Sequence, residues 1–166
     1  ELEREFYLKA LHKTASMRLI HYEVSNFAKA DFQSRSNLKV WDGQPYLGLG
    51  CGAHSFDGVN RWGNVRSMRK YMESVGREEP PRDFMETPTR LQQASERLML
   101  SLRRPEGLNI LSWQEKFQIG LSLEQKNQME KLKDQDLISW ESPILKLTTE
   151  GMLLADAITA ELMPET

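Results

Sequence analysis

The sequence predicts an α/β portion followed by a small helical domain of winged-helix-like plan, and three observations carry that expectation. An amphipathic helix over 1–16 leads into an apolar strand, and a glycine-rich strand follows further on. Residues 76–84, "GREEPPRDF", are charged, hold Pro80-Pro81 and lack apolar periodicity, which marks a linker. Beyond it, capped helices flank a hairpin in the order helix, helix, helix, hairpin, helix.

In the first part, Leu2, Phe6, Tyr7, Ala10 and Leu11 recur at helical spacing with charges between them. "MRLIHYEVSNFA", 17–28, reads as a strand covered on both faces, with a polar turn from Ser25. Asn26, just past that strand, is placed either to hydrogen-bond a cofactor or to cap the turn. Residues 29–45 read as a polar, irregular loop with Trp41 as its one large anchor; loops of that length are often functional. "YLGLGCGAHSF", 46–56, reads as a strand with Gly48, Gly50, Gly52 and His54 on one face. Leu47, Leu49, Cys51 and Ala53 then face the core. Glycine weakens a strand, so three in phase imply a close approach to the backbone by a ligand or by a neighbouring helix. Asp57-Gly58 and Gly63-Asn64 are turn signals, and Asn64 is placed to cap a helix whose apolar face is Met68, Tyr71, Met72 and Val75.

In the second part, Thr87-Pro88 reads as an N-cap followed by proline at the first helical position. The helix so opened places Leu91, Ala94, Leu98 and Leu102 on one side. Ser112 with Glu115 and Ser122 with Gln125 read as capping boxes of two further helices separated by Gly120. "DLISWESPILKLT" is a hairpin about Ser142-Pro143, and a last helix over about 150–163 carries Met152, Ala155, Ile158 and Leu162 on one face. The organisation expected is thus residues 1–75, a linker at 76–84, and a domain at 85–166.

Composition narrows the class. The 166 residues are 39% hydrophobic and 28% charged, with a formal net charge of −2, which excludes a disordered tail. No apolar run approaches the ~20 residues that span a bilayer. A pI near 6.0 argues against a general pull on nucleic acid. Cys51 is the single cysteine, which excludes an internal disulfide and any all-cysteine metal or iron–sulfur site built by this chain alone. As a free thiol it reads as a small core residue. His12, His21 and His54 lack close ligand spacing. The chain opens on Glu1 without a signal peptide, so a fragment, a processed form or a trimmed form is expected, in a soluble, reducing, cytoplasmic setting.

The glycine run is neither a dinucleotide fingerprint, which needs G-x-G-x-x-G opening a helix, nor a P-loop, which needs a following Gly-Lys-Ser/Thr. The blocks "YEVSNFA" (22–28), "SNLKVW" (36–41) and "YLGLGCGAHSF" (46–56), with Arg61 and Asn64 beyond them, nevertheless form a set. In order and spacing they resemble the HemN/HemW family of radical S-adenosylmethionine proteins, the oxygen-independent coproporphyrinogen III oxidase-like group. The likeness is greatest to its haem-chaperone branch. "ERLMLSLRRPEGLNI" and "LTTEGMLLADAITAELM" resemble that family's C-terminal domain, so the likeness covers nearly the whole chain.

The resemblance implies that 1–75 are the last strands and helices of an incomplete (β/α) radical SAM barrel, and 85–166 a HemN C-terminal-like domain. It implies S-adenosylmethionine and a [4Fe–4S] cluster in the full-length parent, held through a C-x-x-x-C-x-x-C motif outside this sequence. On its own the chain is expected to bind no cluster and to be catalytically silent. Residues carried over as cofactor-facing are Asn26, Gly48, Gly50, Gly52, Ala53 and His54. In the haem-region motif H-N-x-x-Y-W the ligand histidine is Ser36 and the tyrosine is Val40, while Asn37 and Trp41 match. A serine hydroxyl is a poor ligand for haem iron. His54 is the nearest substitute, and its other reading is a hydrogen-bonded histidine under a loop. Trp41 and Tyr46 are candidates to stack on a flat ligand such as a porphyrin, or to pin the loop as core anchors. The implied role is haem delivery or a porphyrin-related reaction, with a haem-receiving protein as a partner and no membrane span. The competing class is a winged-helix module that docks nucleic acid or a protein through Arg90, Arg97, Arg103 and Arg104, although nearby glutamates dilute that stripe. A third is a purely structural cover.

Overall fold

The computed structural model describes residues 1–164; Glu165 and Thr166, the end of the expected C-terminal domain, lie outside the described residues. The fold is mixed α/β, and its strands pair antiparallel in three small sheets. Helix α1 (Leu2–Ser16) forms as its spacing requires, yet none of its residues is buried. It leads into β1 (Ile20–Glu23), which turns at Val24-Ser25 and returns as β2 (Asn26–Ala28). The turn is held by Glu23, almost fully buried, whose Oε1 accepts from the Ser25 amide at 3.1 Å.

Residues 29–45, expected as irregular loop, contain α2 (Arg35–Trp41). Its signal was the Ser34 hydroxyl, which accepts from the Asn37 amide at 3.3 Å. The expected strand over 46–56 is also corrected. Only Tyr46, in an isolated bridge to Phe56, and β3 (His54–Phe56) are extended, and 47–53 fold into a loop. From β3 the chain turns at Asp57-Gly58 into β4 (Arg61–Asn64), so Gly63-Asn64 is strand rather than turn. The Phe84 ring lies over Gly63, with Cε1 2.4 Å from where a Cβ would stand, so a side chain there would displace the ring. Helix α3 (Met68–Gly76) is capped by Ser67 and not by Asn64. The expected linker is shorter than 76–84: α3 takes Gly76, and β5 (Arg82–Glu86) joins β4 to complete the sheet β3-β4-β5.

The second half carries the core. Helix α4 (Arg90–Leu102) starts two residues later than the Thr87-Pro88 signal, because Thr89 and Gln92 form a reciprocal capping box. After β6 (Leu108–Asn109), α5 (Ile110–Phe117) is capped by Asn109, whose side chain accepts from Ser112, so the Ser112–Glu115 box does not form. The Ser122–Gln125 box does, at the head of α6 (Leu123–Asp134). Strands β7 (Ile138–Glu141) and β8 (Ile144–Leu147) make the hairpin, and β6 adds to it in the order β6-β8-β7. The last helix is broken at Leu154 into α7 (Thr149–Leu153) and α8 (Ala155–Leu162).

Among the large buried apolar side chains described, Tyr22 and Pro88 precede Ala94; the rest form one cluster inside 94–162. Ala94, Leu98 and Leu102 of α4 lie at its centre, each large side chain contributing about 1.5–3 kcal/mol by leaving water. Trp113 Nε1 donates to Ala94 O at 2.9 Å, and Gln125 Nε2 to Leu162 O at 2.9 Å, so these two polar groups inside the core are paired, while the buried Ser101 hydroxyl meets no partner among the described residues. The first half leans on this core largely through arginines. Arg104 pairs with Asp42, Arg97 donates to Trp41 O at 3.1 Å, and Arg61 bridges Glu86 and Glu96.

Candidate functional site

Residues 47–53 are organised by two buried side chains. Ser55, fully buried on β3, accepts from the Gly48 amide at 2.9 Å. Asn64 on β4 donates through Nδ2 to Gly50 O at 2.9 Å and to Gly48 O at 3.3 Å. Tyr71 of α3 accepts from the Gly50 amide at 3.1 Å, and the Gly52 amide donates to Val65 O at 3.0 Å. The loop is therefore clamped from β3, β4 and α3 together.

The glycines answer different needs, not one shared face. A Cβ at Gly48 would stand 2.1 Å from His54 O, so the loop's own return path excludes it. Gly50 has φ +103, a left-handed conformation, and open space where a side chain would point. The expected core face is inverted as well: Leu47 and Leu49 are 69% and 81% exposed, while Cys51 and Ala53 are half-buried. Beside the loop a cleft of about 190 Å³ is lined by Leu49, Trp62, Asn64 and Tyr71, with the Arg82 guanidinium 4.8 Å above the Trp62 ring. Sequence reasoning missed Asn64 as the clamp, because its partners lie fourteen and sixteen residues away.

Gly48, Gly50, Gly52, Ala53 and His54 thus occupy one loop and the strand that follows it. His54 is exposed, its ring edge-on to Phe84 at 5.5 Å, so it is not a histidine under a loop. Asn26 is exposed on the separate β1-β2 hairpin. On α2, Ser36 is exposed, the Asn37 amide serves the cap, and Trp41 anchors the helix to α4 under the Arg103 guanidinium, 5.8 Å from its ring. Trp41 Nε1 is buried and meets no acceptor among the described residues. Val40, at the tyrosine position of the motif, borders a second cleft of about 220 Å³ with Tyr46 and Phe56. Trp41 is not among that cleft's walls, so Trp41 and Tyr46 do not build one stacking platform.

The arginines weighed for nucleic acid are engaged elsewhere. Arg90 donates to Gln118 Oε1 at 2.9 Å, Arg97 to Trp41 O, Arg103 pairs with Asp156 and Arg104 with Asp42. Hydrogen bonding to Glu86, opposed by partial burial and aided by Glu96, holds the Arg61 guanidinium above its ordinary value. Among the described residues no three or more histidine, cysteine or acidic side chains stand together to hold a metal ion. A single thiol cannot supply three cluster ligands, so the residues present do not fit a [4Fe–4S] group. The clamped loop is half-buried at Gly48, Gly50 and Gly52, with open space where a Gly50 side chain would stand.

The family model for the HemN C-terminal domain matches residues 89–154. The heme chaperone HemW of Bacillus subtilis (strain 168) is 31% identical over 99% of this chain and 44% of its own length. HemW of Mycobacterium tuberculosis (strain ATCC 25618 / H37Rv) is 31% identical over 86% of this chain and 34% of its length. The mitochondrial radical S-adenosyl methionine domain-containing protein 1 of Danio rerio is 29% identical over 87% of this chain and 35% of its length. Among solved structures, coproporphyrinogen III oxidase HemN of Escherichia coli, titled a radical SAM enzyme, superposes with a TM-score of 0.70 over 94% of this chain and 40% of that one. At 16% identity that match bears on the fold. The chain spans less than half the length of each of these relatives. With the HemN C-terminal domain matched at 89–154 and HemW relatives aligned across nearly every residue, the chain is similar along its length to the HemN/HemW family.

Proposed function

We propose that this chain serves haem delivery or a porphyrin-related reaction, as part of a cytoplasmic radical S-adenosylmethionine protein. Residues 1–75 act as the last part of its barrel and the following domain closes it. The observation that carries the reading is the Asn64-clamped loop at Gly48–Gly52, which holds bare backbone rigid beside an open face. In that reading Gly50, Gly52, Ala53 and His54 border S-adenosylmethionine, which when bound to the cluster-bearing protein supplies the radical precursor. The loop's own part is to orient and to exclude bulk, because glycine backbone lets a nucleoside or methionine moiety approach without a side chain between. A tetrapyrrole would be met on the side of α2, where Ser36 leaves the iron without its family ligand and the exposed His54 imidazole is the substitute on β3.

Haem titration followed by absorbance tests the tetrapyrrole arm. A saturable Soret shift, lost in His54→Ala and kept in Ser36→Ala, supports it. No shift removes haem and leaves the porphyrin-related alternative, and a shift indifferent to His54 removes His54 as the iron ligand. No observation favours the nucleic-acid module, since the four arginines that would serve it are committed to internal partners.

A further inference from the structure

The cleft beside the glycine loop, about 190 Å³ in volume, carries polar chemistry that the loop itself does not use. Its walls are largely flat and apolar: the Trp62 and Tyr71 rings, Pro80 and Pro81, with the exposed Leu49 beside them. Arg82 is the one charged wall, and no acidic side chain lines the cleft. The Arg82 guanidinium lies over the Trp62 ring, 4.8 Å from its centroid, which positions it and leaves its N–H edges for an acceptor. Its Nη1 meets the Met85 sulfur at 3.7 Å, and no ion pair among the described residues engages it. Neighbouring acids are held elsewhere: Glu86 by Arg61 at 2.7 Å, Glu73 by Arg69 at 3.2 Å, and Glu79 stands 4.0 Å from Arg77. Asp83, next to Arg82 on β5, is exposed and is not a wall of the cleft. Tyr71 adds a second donor. Its hydroxyl accepts from the Gly50 amide at 3.1 Å, and its own proton meets no acceptor among the described residues.

A guanidinium fork and a phenol proton in a cleft without acids call for a negatively charged acceptor, and a carboxylate matches the fork with two parallel bonds. A cation would face Arg82, and a neutral apolar molecule would leave both donors unmatched. Inorganic phosphate would leave the rings and prolines uncovered. The volume equals about six waters at roughly 30 Å³ each and falls below the roughly 300 Å³ of a drug-sized pocket, so it suits one ring with its carboxylate. We infer that this cleft binds a free monocyclic aromatic carboxylate. The carboxylate bonds the Arg82 fork and the Tyr71 hydroxyl, and the ring lies among Trp62, Pro80 and Pro81. The assignment rests on these walls and not on the reading of residues 50–54 above.

The probes are benzoate, its uncharged isostere benzamide, and inorganic phosphate, each titrated into the protein with the Trp62 indole N–H and Tyr71 ring resonances observed. Benzoate is expected to shift both saturably and to bind about tenfold more tightly than benzamide, while phosphate leaves Trp62 in place. Arg82→Gln is expected to bring benzoate down to the affinity of benzamide with the thermal midpoint retained, because Arg82 is exposed and outside every ion pair described. Should Arg82→Gln fail to fold, Arg82→Lys decides: it keeps the charge and loses the fork, with benzoate affinity about tenfold lower. Equal affinity for benzoate and benzamide, resonances unmoved at millimolar benzoate, an equal response to phosphate, or a benzoate affinity unchanged in the folded Arg82 variant would each overturn the assignment.

Discussion

Replacing Asn64 by alanine isolates the clamp on the glycine loop. The side chain is 8% exposed and supplies two bonds, at 2.9 Å to Gly50 O and at 3.3 Å to Gly48 O. A net bond is worth roughly 1 kcal/mol, and the longer one less, while the freed carbonyls lie in a loop open enough for water to reach. The expected loss is therefore about 1–2 kcal/mol, local to the loop, because the buried apolar cluster lies in 94–162 and shares no atom with it. Hydrogen exchange is the suitable assay. The amides of Gly48, Gly50 and Gly52, bonded to Ser55, Tyr71 and Val65, should exchange roughly five- to thirtyfold faster in Asn64→Ala. The amides of Leu98 and Leu102 in α4 should keep their rates. Unchanged exchange in the loop, or acceleration spread equally into α4, would refute the argument that Asn64 holds this loop and little else.

Gly48 and Gly50 should respond differently. Gly48→Ala drives a methyl to 2.1 Å from His54 O and should destabilise or unfold the loop, whereas Gly50→Ala meets open space and costs about 1–2 kcal/mol of left-handed strain in urea unfolding. Residues 87–166, which hold the cluster, are expected to fold alone with a cooperative thermal transition, and protease should cut the whole chain first within 77–81; a first cut inside α4 would contradict that boundary. Asp57 is held below the usual carboxylate range by the Asn60 amide first and the Val59 amide next. Because the folded group's pKa is lowered, its contribution is complete above the unfolded value, about 3.9, and is lost as pH falls through the folded one. The Val59 and Asn60 amide resonances should thus stay fixed at neutral pH and move only in acid below about 4.

How far the fold was legible depended on where the deciding contacts lie. The face of α4 repeats at helical spacing because one stripe meets one core, and the structure buries Ala94, Leu98 and Leu102 as that spacing requires. The Ser122 box was legible since its two members lie three residues apart and bond each other. The Ser112 box misled because Asn109, at the exit of β6, reaches the Ser112 amide first. Helix α2 hid in polar composition, its Ser34 cap being the signal that was passed over. The glycine run imitated strand alternation while its backbone was set by φ values and by Asn64, a partner too distant in sequence for any local pattern to report.

The claim on which the account rests is that Gly48–His54 form a rigid wall for a small cofactor. The direct measurement is a titration of the isotopically labelled protein with S-adenosylmethionine, read at every backbone amide. The account expects saturable shifts concentrated at Gly48, Gly50, Gly52, Ala53 and His54, sharply weakened in Asn64→Ala, with α4 and the β7-β8 hairpin silent. Shifts absent from that loop, or equal in Asn64→Ala, would contradict it.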